Sequence, residues 1–181
     1  IRTPWAQLRQ NARQFYPLHD RYAGGALNLQ LLAAIRTMAD RYLASLGYPE
    51  AAPELVPVDA SLSVPVYLEM KKSNGAPLLW VMLSASRESD AGILESNVFD
   101  GNIAEEDAFG AVHNDDLLEL KNEDLATQIL FGSAEPPRFL LFISLNQIAL
   151  IDRNKWSEKR YLQFELEDIF SRLELTTLQA M

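Results

Sequence analysis

The stretch from Pro136 to Phe164 constrains the fold more than any other part of the sequence. It contains two apolar runs, Phe139–Ser144 and Gln147–Ile151, and a third short run, Tyr161–Phe164. Apolar runs of this length that are bounded by turn residues indicate strands buried on both faces. We therefore expect these residues to form the middle of a β-sheet, with a basic loop between the second and third strands.

A helical pattern precedes the strands. Thr3 is a suitable N-cap, Pro4 suits the first helical position, and Pro17 is predicted to end this first helix. From Asn28 to Leu46 the apolar residues recur at helical spacing and form one stripe. Gly47 then stands where a left-handed residue ends a helix. We expect the stripe to pack on the protein core. The alternative is that it packs against a partner protein.

The next segment is typical of β-structure. Leu55–Val58 is a short strand candidate, and Val64–Lys71 alternates between apolar and polar residues as a half-buried strand does. Asn74 and Gly75 are the favoured residues of a type I′ turn. Leu78–Leu83 is predicted to return as the antiparallel partner strand.

Two further helices, Asn122–Phe131 and Glu167–Leu173, are indicated by their apolar spacing. The resulting order of helices and strands predicts an α/β (or α+β) fold, with a mixed central β-sheet and flanking helices. A parallel dinucleotide-binding design is disfavoured, because no Gly-x-Gly-x-x-Gly follows a strand and no phosphate-binding Gly-x-x-x-x-Gly-Lys-Ser/Thr occurs.

Residues 87–121 differ from the rest of the chain because they are rich in carboxylates. We expect an acidic loop or insertion there. One group of residues in it, His113, Asp115 and Asp116 with Glu119 nearby, has side chains of types that can bind a metal. Their spacing matches no metal site, and an acidic helix start explains them better, since carboxylates favour the positive end of the helix dipole.

Composition sets further limits. The net charge of −9 argues against a generally basic surface, so any contact with nucleic acid has to be local. With 0 cysteines the chain has no disulfides or thiolate metal sites, which agrees with a cytoplasmic protein. No apolar run approaches the roughly 18 residues of a membrane span, so we expect no membrane contact. Because the chain begins with Ile1 rather than Met, we expect a single domain, 1–181, that is a piece of a longer protein.

One constellation could support hydrolysis of a phosphodiester. Asp59, two residues after Pro57, is separated by nine residues from Glu69, and Lys71 follows two positions later. This arrangement has the form of the PD-(D/E)xK nuclease motif, and residues two apart on a strand share a face. Asp59 and Glu69 would hold Mg²⁺ that activates water, and Lys71 would stabilise the developing charge. The alternative is an ordinary half-exposed strand, on which Glu and Lys two apart have no function.

The basic loop is the second constellation. Its candidate nucleic-acid-binding residues are Arg153, Lys155, Trp156, Lys159 and Arg160. The cations can neutralise phosphates, and the indole can stack on a base. The alternative is a solvated loop whose Trp156 covers the sheet edge, with Asp152 and Glu158 balancing part of the charge.

A family resemblance rests on the same part of the chain. The residues that carry it are Asp152, Arg153, Lys155, Trp156, Arg160, Tyr161 and Phe164. The run around them resembles the N-terminal region of type IIG-like restriction-modification DNA methyltransferases, which are large single-chain proteins of bacterial defence systems. In that family such a loop and strand are followed by a Leu-Glu-Asp-Ile-Phe-like helix and precede the methyltransferase core.

The resemblance implies an N-terminal nuclease-like domain with a restriction-endonuclease-like fold, either an active Mg²⁺-dependent DNA endonuclease or an inactive relative. The Asn-Pro-Pro-Tyr/Phe motif and the Gly-rich loop of the methylase are absent from these 181 residues. S-adenosylmethionine would therefore bind only in a downstream domain. The implied partners are DNA, through the full-length protein, and the downstream methyltransferase domain. The alternative is a non-catalytic domain that positions the methyltransferase or a partner protein.

Overall fold

The computed structural model describes residues 4–22, 29–84, 92–96 and 120–171. The helices in these ranges are α1 (Pro4–Tyr22), α2 (Leu29–Ser45), α3 (Asn122–Gly132), α4 (Arg153–Trp156) and α5 (Leu166–Ser171). The strands are β1 (Glu54–Pro57), β2 (Ser63–Val66), β3 (Leu68–Lys71), β4 (Pro77–Leu83), β5 (Phe139–Ile143), β6 (Gln147–Asp152) and β7 (Tyr161–Glu165). None of these helices combines the length and the apolar composition that a bilayer span requires.

A mixed sheet of five strands, in the order β3-β4-β5-β6-β7, organises the described residues. β4 and β5 are parallel, and α3 lies between them in sequence, whereas the other neighbouring strands are antiparallel. β1 and β2 form a separate antiparallel pair. The predicted α/β fold with a mixed sheet is therefore confirmed, while its likeness to restriction endonucleases stays a prediction.

Burial differs strongly among the three strands that the sequence placed at the sheet centre. In β5, Leu140–Ile143 is buried throughout, as expected for the central strand of the sheet. β6 alternates between buried and half-buried residues. β7 lies at the sheet edge and is largely exposed, so the expectation of burial on both faces is wrong for this strand. The physical reason is that fewer neighbouring elements cover the faces of a strand at the sheet edge than at the sheet centre.

The helices before the sheet follow the sequence pattern with one exception. α1 continues through Pro17, so the prediction that Pro17 ends it is wrong. A proline in a helix removes one backbone donor, but side-chain packing can hold the helix together. Here the Phe15 ring stacks on His19 at 5.3 Å and lies 5.0 Å from the ring of Phe170. The last residue of α2 is Ser45, and Gly47 follows it with φ of +85°, the left-handed conformation that was predicted to end the helix.

The predicted strand Val64–Lys71 is two strands in the structure. Tyr67 separates β2 from β3, and the two strands belong to different sheets. The Tyr67 N–H still donates to the Val81 carbonyl at 2.8 Å, and its hydroxyl donates to Asp40 of α2 at 2.6 Å. The chain therefore changes sheet at a residue that is anchored at both its backbone and its side chain.

The β3–β4 hairpin is present, but its turn differs from the predicted type I′. The Gly75 N–H donates to the Lys72 carbonyl at 2.9 Å, and Gly75 then adopts φ of +83°. Asn74 does not have the positive φ that a type I′ turn needs. This is a tight turn followed by a left-handed glycine, which matches a three-residue hairpin loop with a bulge.

We expect Gly75→Ala to lower the free energy of unfolding by about 1–2 kcal/mol, because a Cβ disfavours the left-handed region. No atom lies within 4 Å of that Cβ, so backbone strain alone produces the effect. Gly132→Ala is the matched control, since it also meets no atom within 4 Å but lacks a positive φ. Urea unfolding of both variants measures the difference, and equal stabilities would contradict the turn geometry.

Candidate functional site

A cleft of about 390 Å³ lies beside β1 and the β3–β4 hairpin. Its charged lining residues are Glu54 from β1, Glu69 and Lys71 from β3, and Glu135, which follows α3. The indole of Trp80 forms part of the wall. The cleft therefore brings together the Glu and Lys of the candidate nuclease motif.

Glu69 and Lys71 share a face of β3, as residues two apart on a strand do. The Lys71 Nζ lies 2.8 Å from the Glu69 Oε2, and the Trp80 Nε1 donates to the Glu69 Oε1 at 3.0 Å. Burial by itself would raise the pKa of Glu69, but the hydrogen bonds from Lys71 and Trp80 outweigh it and the net shift is downward. The hydrogen bond to Glu69 also raises the pKa of Lys71. Both oxygens of Glu69 therefore already have donors from the protein itself.

Asp59 does not join this pair. It lies in the turn between β1 and β2, where its Oδ1 accepts from the Ser61 N–H at 2.7 Å, the Ser61 hydroxyl at 2.9 Å and the Leu62 N–H at 2.9 Å. The backbone hydrogen bond from Ser61, followed by its hydroxyl, lowers the pKa of the Asp59 carboxyl. Val58 lines the cleft, but Asp59 is not part of the lining. The carboxylate closes the turn and stabilises it.

The residues predicted to hold Mg²⁺ do not fit that ion in this arrangement. Magnesium prefers near-octahedral coordination by oxygen ligands that converge on one point. Asp59 closes a turn and does not line the cleft, whereas Glu69 lies in the cleft and accepts from Trp80 and Lys71. Across the described ranges, no three His, Asp or Glu residues converge as a metal site would require.

The Glu69–Lys71 pair predicts a pH dependence. Because the pKa of Glu69 is lowered in the folded protein, its stabilisation is present above the unfolded-state pKa and is lost as pH falls through the folded-state pKa. Lys71→Met should reduce this loss between about pH 5 and pH 2. Lys72→Met is the matched control, because it removes the neighbouring exposed charge but not the contact with Glu69. Urea unfolding across this pH range measures both, and indistinguishable profiles would contradict the prediction.

The basic loop is held to the protein by its own contacts. Trp156 is 2% exposed, and its Nε1 donates to the Thr127 hydroxyl of α3 at 3.0 Å. Its ring lies 6.3 Å from that of Tyr161, edge to face. The Lys159 ammonium lies 4.8 Å from the indole centroid and pairs with Glu123. Trp156 thus faces the protein interior, and in this conformation its ring is covered against stacking on a base.

The other cations of the loop also have partners. Arg153 donates to the Pro136 carbonyl at 3.3 Å. Glu158 lies between two cations, with Lys155 at 3.9 Å and Arg160 at 3.2 Å. Side-chain exposures of 52% and 68% leave Lys155 and Arg160 accessible to solvent. That Lys155 and Arg160 bind phosphate stays a prediction. In the structure both side chains lie beside the carboxylate of Glu158.

β7 carries exposed apolar side chains at the sheet edge, which the sequence did not indicate. Tyr161, Leu162 and Phe164 are 42%, 58% and 41% exposed, although they are large apolar residues. The strand occupies one edge of the five-stranded sheet in the described residues. Alternating apolar residues at an edge are a known risk for pairing with another chain. The signal in the sequence was ambiguous, since a short apolar run is equally typical of a buried strand.

The outward groups of β7 follow from its register. The Leu166 N–H donates to the Asn146 carbonyl at 2.9 Å, directly after the last pair of the β6–β7 ladder. Bonded and non-bonded pairs alternate along an antiparallel ladder, so Leu162 and Phe164 bond to β6. The N–H and C=O groups of the other residues of the strand point away from the sheet. These residues are Tyr161, Gln163 and Glu165.

Comparison of the chain with protein-family models, with curated proteins and with solved structures finds no match. The resemblance to restriction-modification methyltransferases accordingly stays a prediction. The geometry of the cleft, the basic loop and the β7 edge is what bears on function.

Proposed function

We propose that this chain is a non-catalytic protein-interaction domain that binds an extended protein segment at the edge of β7, which no strand of the described residues covers. The observation that carries the proposal is the exposure of Tyr161, Leu162 and Phe164 on an edge strand. An extended segment adds to such an edge through backbone hydrogen bonds, and its alternate side chains give specificity. Its complementary chemistry is apolar residues at every second position.

The charged groups of the cleft support the non-catalytic part of the proposal. A hydrolytic centre needs a carboxylate that can take a metal or a proton and a cation that can face developing charge. Glu69 and Lys71 instead neutralise each other at 2.8 Å. Trp80 adds a third partner to this pair, at 3.0 Å. The pair is thus placed to fix the β3–β4 hairpin.

The resemblance gives the proposal a biological setting. In a restriction-modification protein, the domain would position the downstream DNA methyltransferase or a partner protein. DNA and S-adenosylmethionine would then be bound by the full-length protein in the cytoplasm. Sequencing of the gene downstream of the Met181 codon tests this setting, because an Asn-Pro-Pro-Tyr motif there would support it and the absence of such a motif would contradict it.

The edge-binding role is tested with a labelled seven-residue peptide in which valine alternates with threonine or lysine, measured by fluorescence anisotropy. We expect the peptide to bind the wild-type chain and to bind Gln163→Pro about tenfold more weakly, because the proline removes an outward N–H. A peptide with N-methylated alternate residues is the matched control. No binding to the wild type, or equal binding to Gln163→Pro, would contradict the proposal.

The competing prediction is a nuclease, and the shared face of Glu69 and Lys71 in the cleft is the observation that favours it. Plasmid nicking by the full-length protein with Mg²⁺ or Mn²⁺ decides between the two. We expect any nicking to be unchanged in Lys71→Ala. Nicking that requires the metal and disappears in Lys71→Ala would show a catalytic domain and would overturn the non-catalytic proposal.

A further inference from the structure

We infer that the segment bound at this edge is β7 of a second copy of the chain, paired antiparallel about Gln163. The inference rests on the proposed function, because it names the partner of the same edge. A twofold interface requires a surface that is complementary to itself. The backbone groups, the side chains and the charges of β7 each meet that requirement.

The backbone groups are complementary because the outward residues are symmetric about Gln163. Antiparallel pairing places Gln163 opposite itself, and Tyr161 opposite Glu165 of the second copy. All of these positions point their N–H and C=O groups away from β6. The pairing would therefore form about six backbone hydrogen bonds, because each bonded pair of an antiparallel ladder exchanges two. The internal ladder between β6 and β7 stays intact.

The side chains are complementary on the more exposed face of β7. In the same register, Leu162 lies opposite Phe164 of the second copy, in a non-bonded pair whose side chains approach closely. Leu162 and Phe164 are 58% and 41% exposed, and they lie beside Leu150 and Ile148 of β6, which are half-buried. Pairing would therefore bury two Leu162–Phe164 contacts, one on each side of the twofold axis.

That face continues into an apolar groove of about 250 Å³. The groove is lined by Tyr48, Met70, Leu78, Leu79, Phe139 and Leu150. Leu150 borders both the groove and Leu162. Burial of apolar surface is the main driving force of association, so the second copy extends a face that is already apolar.

The charges at the two ends of β7 favour antiparallel over parallel pairing of the two copies. Arg160 precedes β7, and the carboxylates of Glu165 and Glu167 stand at its other end. In the antiparallel register Arg160 lies opposite Leu166 of the second copy, near the end of β7 where Glu167 is exposed and where Glu165 accepts hydrogen bonds from Gln147 and Gln163 of its own chain. Arg160 is 68% exposed and contacts Glu158 of its own chain at 3.2 Å, so its guanidinium can reach a second carboxylate from the surface. A parallel register would instead bring like charges together at each end.

Sedimentation equilibrium of the wild-type chain tests the inference, at concentrations from about 1 µM to about 1 mM, where weak association is measurable. We expect the mass to rise from 20.4 kDa toward twice that value. Gln163→Pro removes an outward N–H from each copy, and Leu162→Lys adds an edge lysine, so each should weaken association about tenfold or more. Leu55→Lys on β1, where Leu55 is 45% exposed, is the matched control and should leave association unchanged.

A monomer throughout this range, or a dimer that both β7 variants leave unchanged, would overturn the inference. Urea unfolding of each variant checks that it is folded, and Leu162→Lys decides the outcome if Gln163→Pro does not fold. Failure of the inference differs from failure of the proposed function. If the chain is monomeric but still binds the valine peptide at β7, the result contradicts the inference of a second copy and leaves the proposed function intact.

Discussion

Trp156→Ala should lower the free energy of unfolding by about 3–5 kcal/mol, as large-to-small changes of buried aromatic residues do. The indole is 2% exposed and anchors the loop to α3 through its 3.0 Å hydrogen bond to Thr127. It also supports the rings and charges around it, Tyr161 at 6.3 Å and Lys159 at 4.8 Å. Since a domain has a total stability of about 5–15 kcal/mol, this loss is a large fraction of it. Urea unfolding followed by circular dichroism measures the change.

Two comparisons identify the cause of this loss. Trp156→Phe keeps most of the ring but removes the Nε1 donor, so an intermediate loss is expected. Lys155→Ala, at a side chain that is 52% exposed, should change stability by no more than about 0.5 kcal/mol. A Trp156→Ala protein that is as stable as the wild type but no longer binds single-stranded DNA would contradict a mainly structural role for Trp156. That outcome would restore the prediction that this indole stacks on bases.

Asn122→Ala should lower the free energy of unfolding by about 1–3 kcal/mol, because buried acceptors would lose their donor. Asn122 is fully buried at the first residue of α3. Its Nδ2 donates to the Ser84 hydroxyl at 2.9 Å and to the Ile93 carbonyl at 2.7 Å. Its backbone N–H donates to the Ser96 carbonyl at 2.9 Å. One side chain thus ties the end of β4 to residues 92–96 and to α3.

The matched control for this side chain is Gln128→Ala, an exposed amide on the same helix. It should change stability by no more than about 0.5 kcal/mol. Urea unfolding of the two variants under one set of conditions measures the difference. Similar midpoints for Asn122→Ala and Gln128→Ala would show that the buried amide does not stabilise the contact between these elements.

The local parts of the fold could be predicted because their signals lie within a few residues. Hairpin β3–β4 follows from Asn74 and Gly75, and the end of α2 follows from Gly47. The shared face of Glu69 and Lys71 also follows from the sequence, because alternate residues of a strand point to the same side. The turn type, the continuation of α1 through Pro17 and the change of sheet at residue 67 did not follow. In α1 and at residue 67, contacts with distant residues, the Phe170 ring and Asp40, outweigh the local preference.

The predicted loop of residues 87–121 lies mostly outside the described residues, as do its four candidate metal ligands. The exceptions are residues 92–96, 120 and 121, and Ile93 and Leu94 are buried in the core. Scattered apolar residues in an acidic segment indicated such contacts only in general terms. The sequence held no sign that Asn122 would donate to the Ile93 carbonyl.

The sequence alone determined the α/β fold class, the strands β5 and β6, the helix α2 and the shared face of Glu69 and Lys71. These features depend on local spacing, which the order of residues encodes directly. Only the tertiary structure decided that Asp59 closes a turn, that Trp156 points inward and that β7 has an exposed edge. Each of these depends on which elements lie beside each other in space. Apolar residues carry the same pattern whether a neighbouring element covers them or leaves them to a partner.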